Sequence, residues 1–137
     1  MQFFDSNILV YAHSQDPRNE VARALLRQEG VISVQCLNEF VNVARRKLCM
    51  TWDEVQESLD FIHTCCPTIL ALNVPLHEQA CRIAARFRLS IYDSLIVAAA
   101  FEAQCDILYS EDMQDGLVME GTDGHILRIV NPFKDLA

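Results

Sequence analysis

Glycine and proline are scarce in this chain, four of each among 137 residues. That excludes collagen-like repeats and Gly- or Pro-rich linkers, and no shift in composition marks an internal boundary. Long apolar runs are missing as well. The longest, Leu95 to Phe101, has seven residues, far short of the roughly 20 that cross a bilayer. The first residues lack the basic start and apolar core of a secretory signal. The expectation is one cytoplasmic domain, residues 1–137, large enough for a real core and without a membrane segment.

Positive charge is in short supply: 11 Lys and Arg stand against 19 Asp and Glu, a net charge of −8. A simple nucleic-acid binder is expected to be basic, so this balance speaks against an RNA-facing surface. Acids gathered at a metal site would, however, carry charge that bound cations offset. Local basic groups also exist, Arg45-Arg46-Lys47 and Arg82, Arg86 and Arg88. A basic partner segment is a third account, and composition does not choose among them. The six cysteines make no C-x-x-C pair and have no histidine at zinc-ligand spacing. Most fall at apolar positions of predicted helices, so they read as reduced core residues. His13, His63, His77 and His125 show no nucleophile or ligand spacing and receive no catalytic role.

What the chain does have is alternation of strand and helix signals, which predicts βα units around a parallel sheet. Residues 2–5 read as a strand and 7–12 as a short helix. Asp16 as N-cap and Pro17 at the first helical position predict a helix to about Gln28, stopped by Gly30. Strands are predicted at Val31–Val34, Thr68–Leu72, Ile107–Ser110 and Ile126–Val130. Residues 35–48 have helical apolar spacing, and Thr51-Trp52-Asp53-Glu54 is a capping box that opens another helix. Pro75 opens a further one. Ser94 to Ala103 is apolar on every side, the mark of a buried helix. Asp115-Gly116 and Gly121 to Gly124 read as loops.

Acids stand at the junctions of these elements. Asp5 ends the first strand and opens the first helix. Asp93 lies in the first turn of the apolar helix, and Asp112 follows the strand at 107–110. Glu39 sits about one turn into the helix after the second strand. In open parallel sheets ligands bind beyond the carboxyl ends of the strands, so parallel strands would gather all four on one edge. Crowded, buried carboxylates have raised pKa values. A hard divalent cation such as Mg2+ or Mn2+ relieves that conflict, because it prefers oxygen ligands. Such an ion activates water and neutralises charge developing on a phosphodiester. Each acid alone also has a bland reading, as a helix cap, a solvated helix residue or a turn acid.

The same residues carry a family resemblance. Asp5-Ser6-Asn7-Ile8-Leu9-Val10-Tyr11 resembles the D-[ST]-N-[IV]-L-[VI]-Y opening of PIN-domain proteins. Asn38-Glu39-Phe40 resembles their N-E-[FL] segment, and Tyr92-Asp93-Ser94-Leu95-Ile96-Val97-Ala98-Ala99-Ala100 their Y-D-A-x-I-[VA]-A-A-A element. Ser110-Glu111-Asp112-Met113 matches [TS]-E-D-[ML], and Asn131-Pro132-Phe133 is a common family ending. Ser94 stands where many members have Ala, and Ser110 replaces the commoner Thr. The resemblance implies a three-layer α/β/α sandwich with a central parallel sheet. It implies a Mg2+- or Mn2+-dependent endoribonuclease with Asp5, Glu39, Asp93 and Asp112 as the metal-binding acids. Single-domain members of this size look like VapC-type toxins, which form homodimers and are held by a cognate antitoxin. Asp115 matches a position that is often acidic in the family and is a candidate supporting ligand. Asn7 is a candidate partner of Asp5 or of a metal-bound water, Ser110 a supporting hydroxyl, and Arg46, on the face of Glu39, a candidate phosphate contact.

Two other readings remain. A receiver or haloacid-type phosphatase also ends its first strand in Asp, but the second needs D-x-D where Asn7 stands, and the first needs a Lys that Asn131-Pro132-Phe133 lacks. A non-catalytic module that keeps the fold for protein contacts is the stronger alternative.

Overall fold

The computed structural model describes residues 1–136. In chain order the elements are β1 (Gln2–Phe4), α1 (Ser6–Ala12), α2 (Asn19–Leu26), β2 (Val31–Ser33), α3 (Val34–Arg46), α4 (Trp52–Cys65), β3 (Thr68–Leu70), α5 (Val74–Phe87), α6 (Ile91–Glu102), β4 (Ile107–Tyr109), β5 (Val118–Glu120) and β6 (Ile126–Val130). The strands form one six-stranded sheet in the order β3-β2-β1-β4-β6-β5. Neighbours run parallel, except that β5 is antiparallel to β6.

Consecutive residues of the central strands are buried. Phe3 and Phe4 are both inaccessible, as are Val31, Ile32 and Ser33 to within a few per cent. Side chains alternate across a strand, so both faces of the sheet are covered, as the three-layer expectation requires. Helix α6 is buried from Ser94 to Phe101 without a break, in keeping with its uniform apolarity. The capping box at Thr51 is formed in both directions, and Asn73 caps α5 through Leu76 N–H.

Three expectations need correction. Helix α2 begins at Asn19, not at Pro17. The Asp16 carboxylate accepts the Arg18 N–H at 2.9 Å and the Arg18 guanidinium at 3.0 Å, so it closes a turn instead of a helix. The Asn19 amide then ties that turn to the carbonyls of Tyr11, Ala12 and Ser14. Second, Gly30 is not what stops α2. The chain leaves the helix at Leu26, and Glu29 takes the left-handed conformation, φ 56°. A Cβ at Gly30 would lie 2.3 Å from the Phe4 ring, so close packing on β1 is what requires glycine there. Third, β5 lies between the two predicted loops, in residues 118–120 for which no element was predicted. Gly116 (φ 83°) and Gly124 (φ 84°) turn the chain on either side. Only Met119 of β5 faces inward, too little alternation to register as a strand. Among the cysteines, Cys36, Cys66 and Cys105 are core residues, whereas Cys49 and Cys81 are exposed, and all are free. Among the described residues no helix is long and apolar enough to cross a membrane.

Candidate active site

The strand order reverses at β1 and β4: β2 and β3 continue on one side, β6 and β5 on the other. In such a sheet the crevice opens beyond the carboxyl ends of the two strands at the reversal. Asp5 follows β1 and Asp112 follows β4 through Ser110 and Glu111, so both acids flank that crevice. The Asp5 N–H completes the ladder to Tyr109 O at 3.0 Å.

Asp5 is 2% exposed, and its oxygens are fully engaged. Oδ1 accepts the Ser6 N–H at 2.6 Å as the cap of α1. Oδ2 accepts the Ser110 hydroxyl at 2.7 Å. Ser110 Oγ itself receives the N–H groups of Asp112 and Met113 at 3.2 and 3.3 Å, so its one proton is committed to Asp5. Asn7 Oδ1 receives the Glu111 N–H at 3.3 Å, which fixes the amide orientation. Its Nδ2 then reaches Asp5 Oδ2 at 3.4 Å and Asp112 Oδ2 at 3.3 Å. Asn7 thus bridges the two acids.

Glu39 projects from α3, with Oε1 accepting the Ser6 hydroxyl at 2.8 Å and Oε2 the Gln35 amide at 2.8 Å. Asp93 lies in the first turn of α6, below the Ser90 cap. Burial, with Glu39 and Asp93 nearby, pushes the Asp5 carboxyl up to about 7. Asp93 is raised too, by burial first and then by the charges of Glu39 and Asp112. These shifts run through four acids that come from four separate places in the chain, and they express one electrostatic neighbourhood. An open cleft of ≈ 420 Å³ adjoins it, lined by Gln35, Asn38, Glu39, Asn42, Tyr92 and Asp93.

Among the described residues no three His, Cys, Asp or Glu side chains converge closely enough to hold one metal ion. The donors between them account for the spacing: Ser6 stands between Asp5 and Glu39, and Asn7 between Asp5 and Asp112. The donor set nevertheless suits a hard cation. It is all oxygen, and two of its carboxyls, Asp5 and Asp93, are held above their ordinary range.

The sequence family described as PIN domain matches residues 3–114, a stretch that contains all four acids. The chain belongs to the PIN-domain family. Solved structures share its fold at low identity. A toxin–antitoxin complex from Klebsiella pneumoniae matches with a TM-score of 0.69 and 19% identity, over 96% of this chain and 98% of that one. Mycobacterium tuberculosis VapC20, a sarcin-ricin-loop-cleaving toxin, matches at 0.66 and 17%, over 82% and 90%. VapBC2 from Rickettsia felis, bound to a DNA fragment from its promoter, matches at 0.60 and 18%, over 82% and 88%. No curated protein matches by sequence.

Within this PIN domain, Asn7 and Ser110 stand beside Asp5, and Asn7 also beside Asp112. Asp115 and Arg46 do not join them. The Asp115 carboxylate accepts the Asn131 N–H at 2.7 Å and pairs with Lys134 at 3.6 Å, and both hold it below the usual carboxylate range. Arg46 is exposed on the last turn of α3, two turns past Glu39. Sequence reading missed Ser6 and Gln35, the two residues that hold Glu39. Gln35 lies at i−4 from Glu39, a spacing that places them on one helix face, so that contact was legible in principle. The Ser6 contact spans 33 residues and leaves no local signal. Also missed was Glu111, held by Tyr11 Oη at 2.6 Å and by Arg18 Nε at 2.9 Å.

Proposed function

We propose that this PIN domain is a metal-dependent endoribonuclease acting as the toxin of a toxin–antitoxin pair. The observation that carries the proposal is the junction at the strand reversal, where buried Asp5 and exposed Asp112 share Asn7 while Glu39 and Asp93 raise the charge density beside them. Asp5, Glu39, Asp93 and Asp112 would hold Mg2+ or Mn2+. A bound hard cation lowers the pKa of its water and offsets charge developing on a phosphodiester. The chain's own residues supply the rest. Ser110 and Ser6 hold Asp5 as a fixed acceptor, Gln35 and Ser6 orient Glu39, and Asn7 sets the spacing of Asp5 and Asp112. RNA is the substrate class, and a cognate antitoxin, a homodimeric assembly and a cytoplasmic setting belong to the same reading. The Klebsiella pneumoniae toxin–antitoxin complex and the sarcin-ricin-loop-cleaving Mycobacterium tuberculosis toxin, which share the fold, support it.

The test is cleavage of total RNA by purified protein freed of any antitoxin, with Mg2+ or Mn2+, beside Asp5→Ala and an EDTA control. Discrete fragments from the wild type alone are expected. Equal cleavage by Asp5→Ala would sink the site assignment. Absence of both cleavage and saturable Mn2+ uptake by calorimetry would favour a non-catalytic module.

A further inference from the structure

Tyr92 has no part in holding the acids, yet it stands at their edge. It lies in the first turn of α6, directly before Asp93, and is 63% exposed. Across the ≈ 420 Å³ cleft from it, α3 presents Gln35, Asn38, Glu39 and Asn42. These positions, with Arg46 beyond them, are spaced i, i+3, i+4, i+7 and i+11, one face of a helix. Gln35 is occupied by Glu39, whereas Asn38, Asn42 and Arg46 are exposed.

Chemistry narrows what fits. An aromatic face left in water offers a stacking platform for a flat ring. Side-chain amides carry both donors and acceptors, as a nucleobase edge does. Glu39 and Asp93 would meet phosphate only through a bound cation, which leaves the amides of the cleft to the base side of the strand. Arg46, past the amides, is the nearest cation on the same face for a flanking phosphate. Bases inside a duplex are already stacked and present no free face, whereas unpaired ones do.

We propose that the cleft between α3 and α6 binds an unpaired nucleobase of single-stranded RNA, stacked on Tyr92 with its edge toward Asn38 and Asn42 and a flanking phosphate near Arg46. This deepens the ribonuclease reading and rests on it for the identity of the nucleic acid. Tyr92 and the two asparagines select the strand, and the acids act on its backbone.

The experiment reads binding apart from cleavage. An Asp112→Asn background keeps the strand uncut, and fluorescence anisotropy with Mg2+ follows a short labelled RNA of mixed sequence, single-stranded or annealed to its complement. Adding Tyr92→Ala is expected to weaken single-strand binding by roughly 5- to 150-fold, the range for one lost base–aromatic stack. Tyr92→Phe keeps the ring and is expected to retain affinity. Asn38→Ala and Asn42→Ala are expected to change the ranking of homopolymer strands more than the average affinity. Equal binding by the Tyr92→Ala and Tyr92 proteins, or a preference for the annealed duplex, overturns the proposal. The two readings fail separately. Tyr92-dependent binding without wild-type cleavage removes the nuclease and leaves the base site, whereas metal-dependent cleavage with Tyr92-independent binding does the opposite. Thermal melts of each variant confirm folding, which the exposure of Tyr92 favours.

Discussion

Tyr11 donates its hydroxyl to Glu111 Oε1 across 2.6 Å, and so ties α1 to the loop that carries Asp112. Arg18 completes the clamp from the other side, with Nε 2.9 Å from Glu111 Oε2 and its guanidinium 5.2 Å over the Tyr11 ring. Burial and the Glu111 carboxylate push the Tyr11 hydroxyl up to about 12, so it remains a donor through the neutral range. The backbone N–H of the clamped Glu111 is the group that fixes the Asn7 amide. The order of Asp5, Asn7 and Asp112 therefore depends on side chains that touch none of the acids directly.

Tyr11→Phe removes one hydrogen bond and keeps the ring packed on Phe133. A loss of about 0.5–1.5 kcal/mol in stability is expected, measured by urea unfolding. Misplacement of an acid by a fraction of an ångström costs turnover, with about 100-fold as an upper range for a full 1 Å. Turnover is expected to fall more than KM changes, and Glu111→Ala is expected to be the worse variant because it removes the contacts of both Tyr11 and Arg18 to the loop, leaving Arg18 only Asp16. Unchanged turnover in both variants would separate the clamp from the site.

Asp5 gives the metal-free protein a defined pH dependence. Its carboxyl is at about 7 in the fold against an ordinary 3.8, so the fold prefers the neutral form. The stability this contributes is full below the ordinary value and is lost as pH rises through the folded one. The loss is on the order of 4 kcal/mol across that window. Thermal melts in EDTA are expected to fall with pH over the range, and Asp5→Asn is expected to flatten them. Divalent cation competes with the proton, so Mg2+ is expected to raise Tm more at about pH 8 than at about pH 5. A flat EDTA profile for the wild type would mean that Asp5 is not held in a desolvated, crowded setting.

Much of this arrangement was legible because junction chemistry is local. Asp5 caps a helix, Thr51 and Glu54 form a capping box, and α6 announces its burial by uniform apolarity, although it begins at Ile91 under a Ser90 cap and not at Ser94. The parallel core followed from alternation, which also placed the acids on one edge. What the sequence withheld was tertiary. The Ser6–Glu39 and Tyr11–Glu111 contacts join residues 33 and 100 apart, and no periodicity reports a pairing at that range. Asp16 and Pro17 read as a helix start, but the Arg18 N–H and guanidinium on Asp16 close a tight turn there instead. Asp115 was ambiguous because a turn acid and a supporting ligand look alike until the fold shows which backbone N–H it meets.

Ser94 places an unpaired hydroxyl inside α6. It is inaccessible to solvent, and its hydroxyl has no hydrogen-bond partner. A buried, unsatisfied polar group costs about 1–3 kcal/mol, and Ala is the better helix former. Ser94→Ala is therefore expected to stabilise the protein, by about 1 kcal/mol after the small loss of packing. Guanidinium unfolding checks this. A destabilised variant would show that the hydroxyl is satisfied in solution, for instance by a bound water.

Asp115 separates a structural acid from the acids of the site. Its carboxylate holds the Asn131 N–H and Lys134, and so tethers the segment after β6. Both contacts favour the charged form and depress its pKa. They contribute stability above the ordinary carboxylate range that is lost as pH falls through the lowered value. Asp115→Ala is expected to lower Tm at neutral pH and to lose that difference in acid. Because this acid faces Asn131 and Lys134, saturable Mn2+ uptake is expected to keep its wild-type affinity in the variant. Calorimetry with Mn2+ on Asp115→Ala, beside Asp112→Ala, reads this directly. Equal loss of uptake in both would return Asp115 to the metal site, and loss in Asp112→Ala alone would leave it as the tether of the last strand.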